Sequence, residues 1–129
     1  MLRPDKFLSV LIVDPSEAAT PVLKRMLGEL GIGMVDSVTN GVDALTRLRE
    51  GEISLLMTDW QMEPMGGNEL LRSMQIDPKL SSTAVMVVTA APDPAQFFDA
   101  IDCGVDAYAV APFSTRILAA KLAAISDDR

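Results

Sequence analysis

The chain has 129 residues, of which 49% are hydrophobic and 22% charged, a composition that suits one globular domain spanning residues 1–129. The formal net charge of −7 argues against a nucleic-acid partner, because non-specific binding requires a basic face. No apolar run is long enough to predict a membrane span, and the N-terminus is unlike a signal peptide, so we expect a cytoplasmic protein. The absence of histidine excludes Ser-His-Asp catalysis and an internal phosphohistidine.

Two apolar patterns alternate along the chain. Largely apolar runs predict strands at residues 7–13, 53–58, 84–89 and 106–110, and a weaker pattern predicts another strand at residues 34–38. Apolar residues at helical spacing predict a helix after each strand. We expect the following residues to face the core: Val22, Leu23, Met26, Leu27 and Leu30, then Ala44, Leu45 and Leu48, then Leu70, Leu71 and Met74, then Phe97, Ala100 and Ile101, and finally Leu118, Leu122 and Ile125.

Capping residues mark the ends of these helices. Asn40, Ser114 and the pair Asp93-Pro94 are typical helix starts, and Gly31, Gly51 and Gly104 are typical stops. Pro21 would cost about 3 kcal/mol inside a helix, so the first helix should begin close before it. Cys103 has no partner cysteine and is predicted to be a small buried residue.

Five strand-helix units joined by short connections predict an α/β fold of the flavodoxin-like, doubly wound kind, with a five-stranded parallel sheet. Ligands bind such sheets at the carboxyl ends of the strands. Asp14, Asp59 and Thr89 follow or end the first, third and fourth strands. Two carboxylates at one edge repel each other unless a cation intervenes, and Mg²⁺ is a suitable cation for oxygen ligands. A carboxylate can also attack phosphorus, and the Thr89 hydroxyl could then bond a phosphoryl oxygen.

Four sequence motifs resemble those of response-regulator receiver domains. They read Val-Leu-Ile-Val-Asp up to Asp14, Thr-Asp-Trp-Gln-Met around Asp59, Val-Val-Thr-Ala around Thr89, and Tyr-Ala-Val-Ala-Pro-Phe from Tyr108. The resemblance implies that Asp59 is a phosphoacceptor and that Asp14, Asp59 and the backbone carbonyl of Gln61 hold Mg²⁺. It also implies that Thr89 and Tyr108 form the switch that couples the site to an output face.

The same resemblance implies partners and a role. The phosphoryl donor would be a histidine kinase or phosphotransfer protein, and a downstream target would bind the face formed by the fourth helix, fifth strand and fifth helix. Phe98, Ala107 and Ala109 are candidates for an exposed apolar patch on that face. The chain would be a signalling module with no output domain and not an enzyme.

Three departures from the family pattern concern the site itself. The second acid after the first strand is Pro15, the lysine before the last proline is Ala111, and the loop after Asp59 reads Met-Glu-Pro-Met-Gly-Gly. Removal of one charge-stabilising group commonly costs about 10² to 10⁵ in rate. We therefore expect weak Mg²⁺ binding, millimolar or poorer, or none, and little modification by acetyl phosphate. Glu63 is expected to be solvated, and the Ala111–Pro112 peptide should be cis, as the family's Lys-Pro bond is.

Alternatives remain at the level of residues and of function. Asp14 could serve only to cap the first helix, and Tyr108 could be a core residue. The functional alternative is a pseudo-receiver, an interaction module that is read without phosphorylation. A carboxylate-metal phosphatase is poorly supported, because no second acid stands two residues after Asp59.

Overall fold

A computed structural model describes residue 7 and residues 9–125. It contains the five predicted strand-helix units. Their bounds are β1 Ser9–Val13, α1 Thr20–Glu29, β2 Met34–Val38, α2 Gly41–Glu50, β3 Leu55–Thr58, α3 Gly67–Gln75, β4 Ala84–Thr89, α4 Pro94–Asp102, β5 Ala107–Val110 and α5 Thr115–Ala124.

The strands form one parallel sheet in the order β2-β1-β3-β4-β5. The order reverses at β1, so the chain first winds toward one edge and then toward the other. This is the predicted flavodoxin-like arrangement. No helix in the described part of the chain is long and apolar enough to cross a membrane.

Apolar side chains cover the sheet on both faces, as a doubly wound fold requires. One cluster joins α1 and α5 to the sheet and includes Leu27, Leu118 and Leu122. The other joins α2 and α3 to the opposite face and includes Leu48 and Leu70. The residues at the strand ends are therefore positioned by a sheet whose two faces are both covered by helices.

The predicted helix caps are confirmed. The side chain of Asn40 accepts a hydrogen bond from the amide of Asp43 at 2.8 Å, and Ser114 accepts one from Ile117 at 3.1 Å. Asp93 accepts one from the amide of Ala95 at 2.9 Å. Helix α1 begins one residue before Pro21, as expected.

Several predicted element bounds were too wide. Phe7 is buried but lies outside β1, and β3 begins at Leu55 instead of residue 53. Val22 was predicted to face the core and is 45% exposed. Apolar composition continues beyond the residues that pair in the ladder or enter the helix, so periodicity alone overestimates these elements.

The largest correction concerns α4. Phe97 and Ile101 were predicted to face the core, yet they are 38% and 47% exposed, and Ala100 is the buried residue of this helix. Conversely, Ala109 was proposed for an exposed patch and is buried in β5. Cys103 is half-buried instead of buried.

The Ala111–Pro112 peptide is cis, as predicted from the family resemblance, and the Glu63–Pro64 peptide is also cis, which was not predicted.

Candidate functional site

Two carboxylates lie side by side at the carboxyl edge of the sheet. Strand β1 pairs with β3 in the register Val13↔Thr58, and Asp14 and Asp59 are the next residues on each strand. The amide of Asp59 continues the ladder by donating to the carbonyl of Val13 at 3.0 Å. The pairing of two buried strands thus fixes the relative positions of both acids.

These acids line a cavity of about 100 Å³ at the sheet edge. Small and apolar residues form the rest of its wall, including Ser16, Ala90 and Ala111. Among the described lining residues there is no lysine or arginine. The cavity therefore places two acidic side chains together without a basic side chain among its described lining residues.

Asp14 is buried and is bonded to the turn that precedes α1. One of its oxygens accepts from the amide and the hydroxyl of Ser16, at 3.2 and 3.1 Å, and the other accepts from the amide of Ala19 at 2.9 Å. Asp14 is not the N-cap of α1, which is Ala19 without a side-chain cap, but it holds the turn before this helix and at the same time lines the cavity with Asp59. The two roles coexist in one side chain.

Asp59 is half-buried, and its carboxylate accepts a hydrogen bond from the amide of Trp60 at 2.8 Å. Burial raises the pKa of the Asp59 carboxyl, and the charge of Asp14 raises it further, while the amides of Trp60 and Gln61 oppose this. The acid therefore sits in a site that disfavours its charged form, which is the expected effect of burial near a like charge.

Carboxylate oxygens are suitable ligands for Mg²⁺, which usually takes one or two carboxylates and keeps several waters. The described residues contain no cluster of three or more acidic, histidine or cysteine side chains that could hold a metal. Pro15 is exposed and offers no ligand, and Glu63 is exposed, as expected. The donor set fits a magnesium ion held mainly by water, with Asp14 and Asp59 as its charged protein ligands.

The comparisons with known proteins decide the family. The family model described as response regulator receiver domain matches residues 10–123. The chain belongs to this receiver family. It is 34% identical to the chemotaxis protein CheY of Pseudomonas aeruginosa over 115 residues, which cover 89% of this chain and 93% of that protein.

Solved structures show the same fold. A receiver domain of a histidine kinase from Syntrophus aciditrophicus has a TM-score of 0.78 and 29% identity, covering 88% of this chain and 86% of that one. The receiver domain of the sensor kinase PA1611 from Pseudomonas aeruginosa has a TM-score of 0.77 and 19% identity, covering 90% and 98%. That second protein is described with a magnesium ion coordinated in its active-site cleft.

Other residues predicted for the receiver site do not line the cavity. Thr89 is buried, and its hydroxyl accepts from the amide of Ala91 at 3.2 Å. The side chain of Gln61 points to α4, where it accepts from Gln96 at 2.8 Å. The structure thus brings Asp14 and Asp59 together at the cavity but leaves Thr89 and Gln61 outside its lining.

Tyr108 is half-buried on β5, with its ring edge against Phe97 at a centroid distance of 5.0 Å. Its hydroxyl is buried and has no hydrogen-bond partner among the described residues. Burial raises the pKa of Tyr108, and the charges of Asp59 and Asp93 add to the effect. Tyr108 therefore packs against α4 and also interacts electrostatically with Asp59.

Sequence analysis missed three residues that adjoin the receiver site. Trp60, Asn68 and Asp99 form a hydrogen-bonded group beside Asp59 that joins the β3 end to α3 and α4. The available signal was the polar pair Gln96 and Asp99, which stand three residues apart and therefore share one face of α4.

Proposed function

We propose that this receiver accepts a phosphoryl group on Asp59 from a protein donor, in a site too poor in positive charge to react efficiently with small phosphodonors. The observation that carries the proposal is the cavity at the sheet edge. It presents Asp59 beside Asp14, and Ala111 lines it where a lysine would supply charge.

The proposed reaction needs few protein groups. A carboxylate oxygen of Asp59 attacks the phosphorus of a phosphohistidine, an O–P bond forms, the P–N bond breaks, and the imidazole leaves with the bonding pair and takes up a proton. The donor must be another protein, because this chain contains no histidine. A histidine kinase or phosphotransfer protein supplies that group.

Charge determines the rate in this scheme. Mg²⁺, when bound, offsets the negative charge of the phosphoryl group. Asp14 and Asp59, which line the cavity, would hold it, and the family resemblance adds the backbone carbonyl of Gln61, although this residue lies outside the lining, as a third ligand. Pro15 and Ala111 each remove a charged group that would hold the metal or contact the phosphate, so we expect metal affinity in the millimolar range or weaker.

A second function is favoured by the same two residues. A pseudo-receiver would present the fold to a partner without phosphorylation, and neither Pro15 nor Ala111 would impair that activity. Retention of Asp14, Asp59, Thr89 and Tyr108 favours the phosphoaccepting function.

We place the downstream partner on the face formed by α4, β5 and α5. Large apolar side chains are exposed there: Phe98 at 63%, Ile101 at 47%, Val110 at 45% and Ile117 at 47%. Exposed apolar residues grouped on one face are typical of protein-binding surfaces.

The deciding experiment is phosphoryl labelling with acetyl phosphate and Mg²⁺, with Asp59→Asn as the unreactive control. We expect slow, incomplete labelling of the natural protein. The double variant Pro15→Asp with Ala111→Lys should gain more in labelling rate than the gains of the two single variants combined. The reason is that both groups act on one phosphoryl group.

Two results would change the proposal. Rapid, stoichiometric labelling of the natural protein at Asp59 would show that the missing acid and lysine are unnecessary. If the restored double variant is not labelled, and phosphorylated kinases transfer nothing to the natural protein, the pseudo-receiver function replaces phosphoacceptance.

A further inference from the structure

Helix α4 contacts the body of the receiver through Ala100, through the ring of Phe97 against Tyr108, and through several polar side chains. Ala100 is its buried residue, while Gln96 and Asp99 reach across to the segment after β3. Gln96 donates to Gln61 at 2.8 Å, and at the far end of the helix the carbonyl of Cys103 accepts from Gln75 at 2.7 Å. These bonds are directional, so each one can be lost or formed separately.

Asp99 is the centre of this attachment. One of its oxygens accepts from the indole N–H of Trp60 at 2.9 Å, and both oxygens lie 3.1 Å from the side-chain nitrogen of Asn68. We call this group the Asn68–Asp99–Trp60 bridge. It joins α3, α4 and the end of β3 through a single carboxylate.

Trp60 links the Asn68–Asp99–Trp60 bridge directly to Asp59. Its indole is 5% exposed, and a Cβ at Gly67 would lie 2.4 Å from the ring, so α3 packs against it with no room for a side chain. The backbone amide of the same residue donates to the carboxylate of Asp59 at 2.8 Å. Trp60 therefore contacts Asp59 through its backbone and α4 through its side chain.

We infer that Asp99 is a positioning residue, and that the Asn68–Asp99–Trp60 bridge carries structural changes at Asp59 to α4 by a route separate from Thr89 and Tyr108. The inference rests on Asp59 being the functional acceptor, as proposed above. Its consequence is that a change in the Asp59 carboxylate alters the Trp60 amide, then the indole, and then the helix that bears Phe98.

Amide NMR of the full chain tests this without any phosphoryl transfer. Asp59→Asn changes the acceptor while keeping its size, and the response is the set of shifts that it causes in the α4 amides and the Trp60 indole N–H. We expect a clear response in the natural background. With Asp99→Ala the response at α4 should fall several-fold, whereas with Thr89→Ala it should persist.

The matched control is Asp102→Ala, which removes the same charge from an exposed position one turn along α4. It should leave the response intact. Asp99→Asn should restore most of it, because its oxygen can accept from the indole. The Asn68 nitrogen faces both oxygens of Asp99 in the natural protein, so the Asn68 amide has to turn over in this variant; its carbonyl oxygen, which is buried and has no partner among the described residues, then accepts from the new amide.

Three outcomes would overturn the inference: a full α4 response in Asp99→Ala, an equal loss in Asp102→Ala, or no α4 response in the natural protein. If Asp99→Ala fails to fold, Trp60→Phe keeps an aromatic ring but removes the N–H donor together with part of the indole, and the same loss is expected. Failure of Asp59 to be labelled would leave these results unaffected, so the inference and the proposed function are tested separately.

Discussion

Strand β4 and helix α4 follow each other in the chain, yet they are fixed in opposite ways. All six residues of β4 are buried, whereas α4 buries Ala100, packs Phe97 against Tyr108, and makes side-chain hydrogen bonds to Trp60, Asn68 and Gln61. Full burial of one large apolar side chain is worth about 1.5–3 kcal/mol, and a typical hydrogen bond contributes about 0.5–1.5 kcal/mol net. A strand held by burial has one stable position. A helix held by a few directional bonds can be released at small cost, which suits an element that responds to the site.

Side-chain truncations in β4 and in α4 should show the largest difference in the free energy of unfolding. Met86→Ala removes a fully buried side chain from β4 and should lower the free energy of unfolding by about 2–5 kcal/mol. Phe98→Ala removes a side chain that is 63% exposed on α4 and should change it by about 0.5 kcal/mol. Urea unfolding measures both values. Similar costs for the two variants would contradict the contrast between the elements.

The junction between the two regions can be tested at Gly67. Alanine is normally favoured over glycine in a helix, but a Cβ at Gly67 would lie 2.4 Å from the Trp60 ring. We expect Gly67→Ala to destabilise the protein by about 1–3 kcal/mol, as overpacking does, and to alter the near-ultraviolet circular dichroism of Trp60.

Gly28→Ala is the matched control, since it lies in α1 with nothing within 4 Å of the added Cβ. That variant should gain about 0.5–1 kcal/mol from helix propensity. Destabilisation of similar size at both glycines would indicate a general backbone effect instead of contact with Trp60.

The sequence predicted strand bounds and helix caps better than it predicted the orientation of α4. The bounds of β2 and β4 and the caps at Asn40 and Ser114 follow from local patterns, because an alternating or continuous apolar run and a capping side chain act over a few residues. The orientation of α4 depends on Trp60, Asn68 and Gln75, which are distant in sequence. Periodicity alone therefore assigned Phe97 and Ile101 to the core.

The same reason limits prediction of the candidate site. Strand ends are predictable, so Asp14 and Asp59 were correctly expected to adjoin. The side-chain partners of Asp99 and the local hydrogen bond of Thr89 depend on packing that no short motif specifies.

A third prediction concerns Asp59, at the boundary between the two regions. Its pKa in the folded protein lies above the ordinary value of 3.8, so the folded state keeps this proton to higher pH than the unfolded chain. The associated stability is complete below the unfolded pKa and is lost as pH rises through the folded pKa.

Asp59→Asn should therefore be more stable than the natural protein at pH 7, and the gap should narrow as pH falls below the raised pKa. Thermal unfolding from acid to neutral pH, in the presence of a chelator, measures this difference in stability between the two proteins. Asp102→Asn controls for the loss of one negative charge. A gap that does not change with pH would mean that ionisation of Asp59 is not its cause.

The smallest effect is expected for the hydroxyl of Tyr108. Because it is buried without a partner among the described residues, Tyr108→Phe should leave the free energy of unfolding unchanged within about 0.5 kcal/mol or raise it slightly. Chemical denaturation at neutral pH is sufficient. A loss above about 1 kcal/mol would reveal a hydrogen bond that the hydroxyl makes in solution.

The strand order also bears on how the chain acquires its structure during synthesis. Strands β1, β2 and β3 pair only with one another until β4 is available, so the first half can form a three-stranded sheet early. One face of that sheet is later covered in part by Leu118 and Leu122 of α5, which is synthesised after all the other described helices. Helix α1 already covers part of this face, so until α5 is available only the remaining apolar surface of the nascent sheet is exposed, and this is the stage at which chaperones would protect the chain from aggregation.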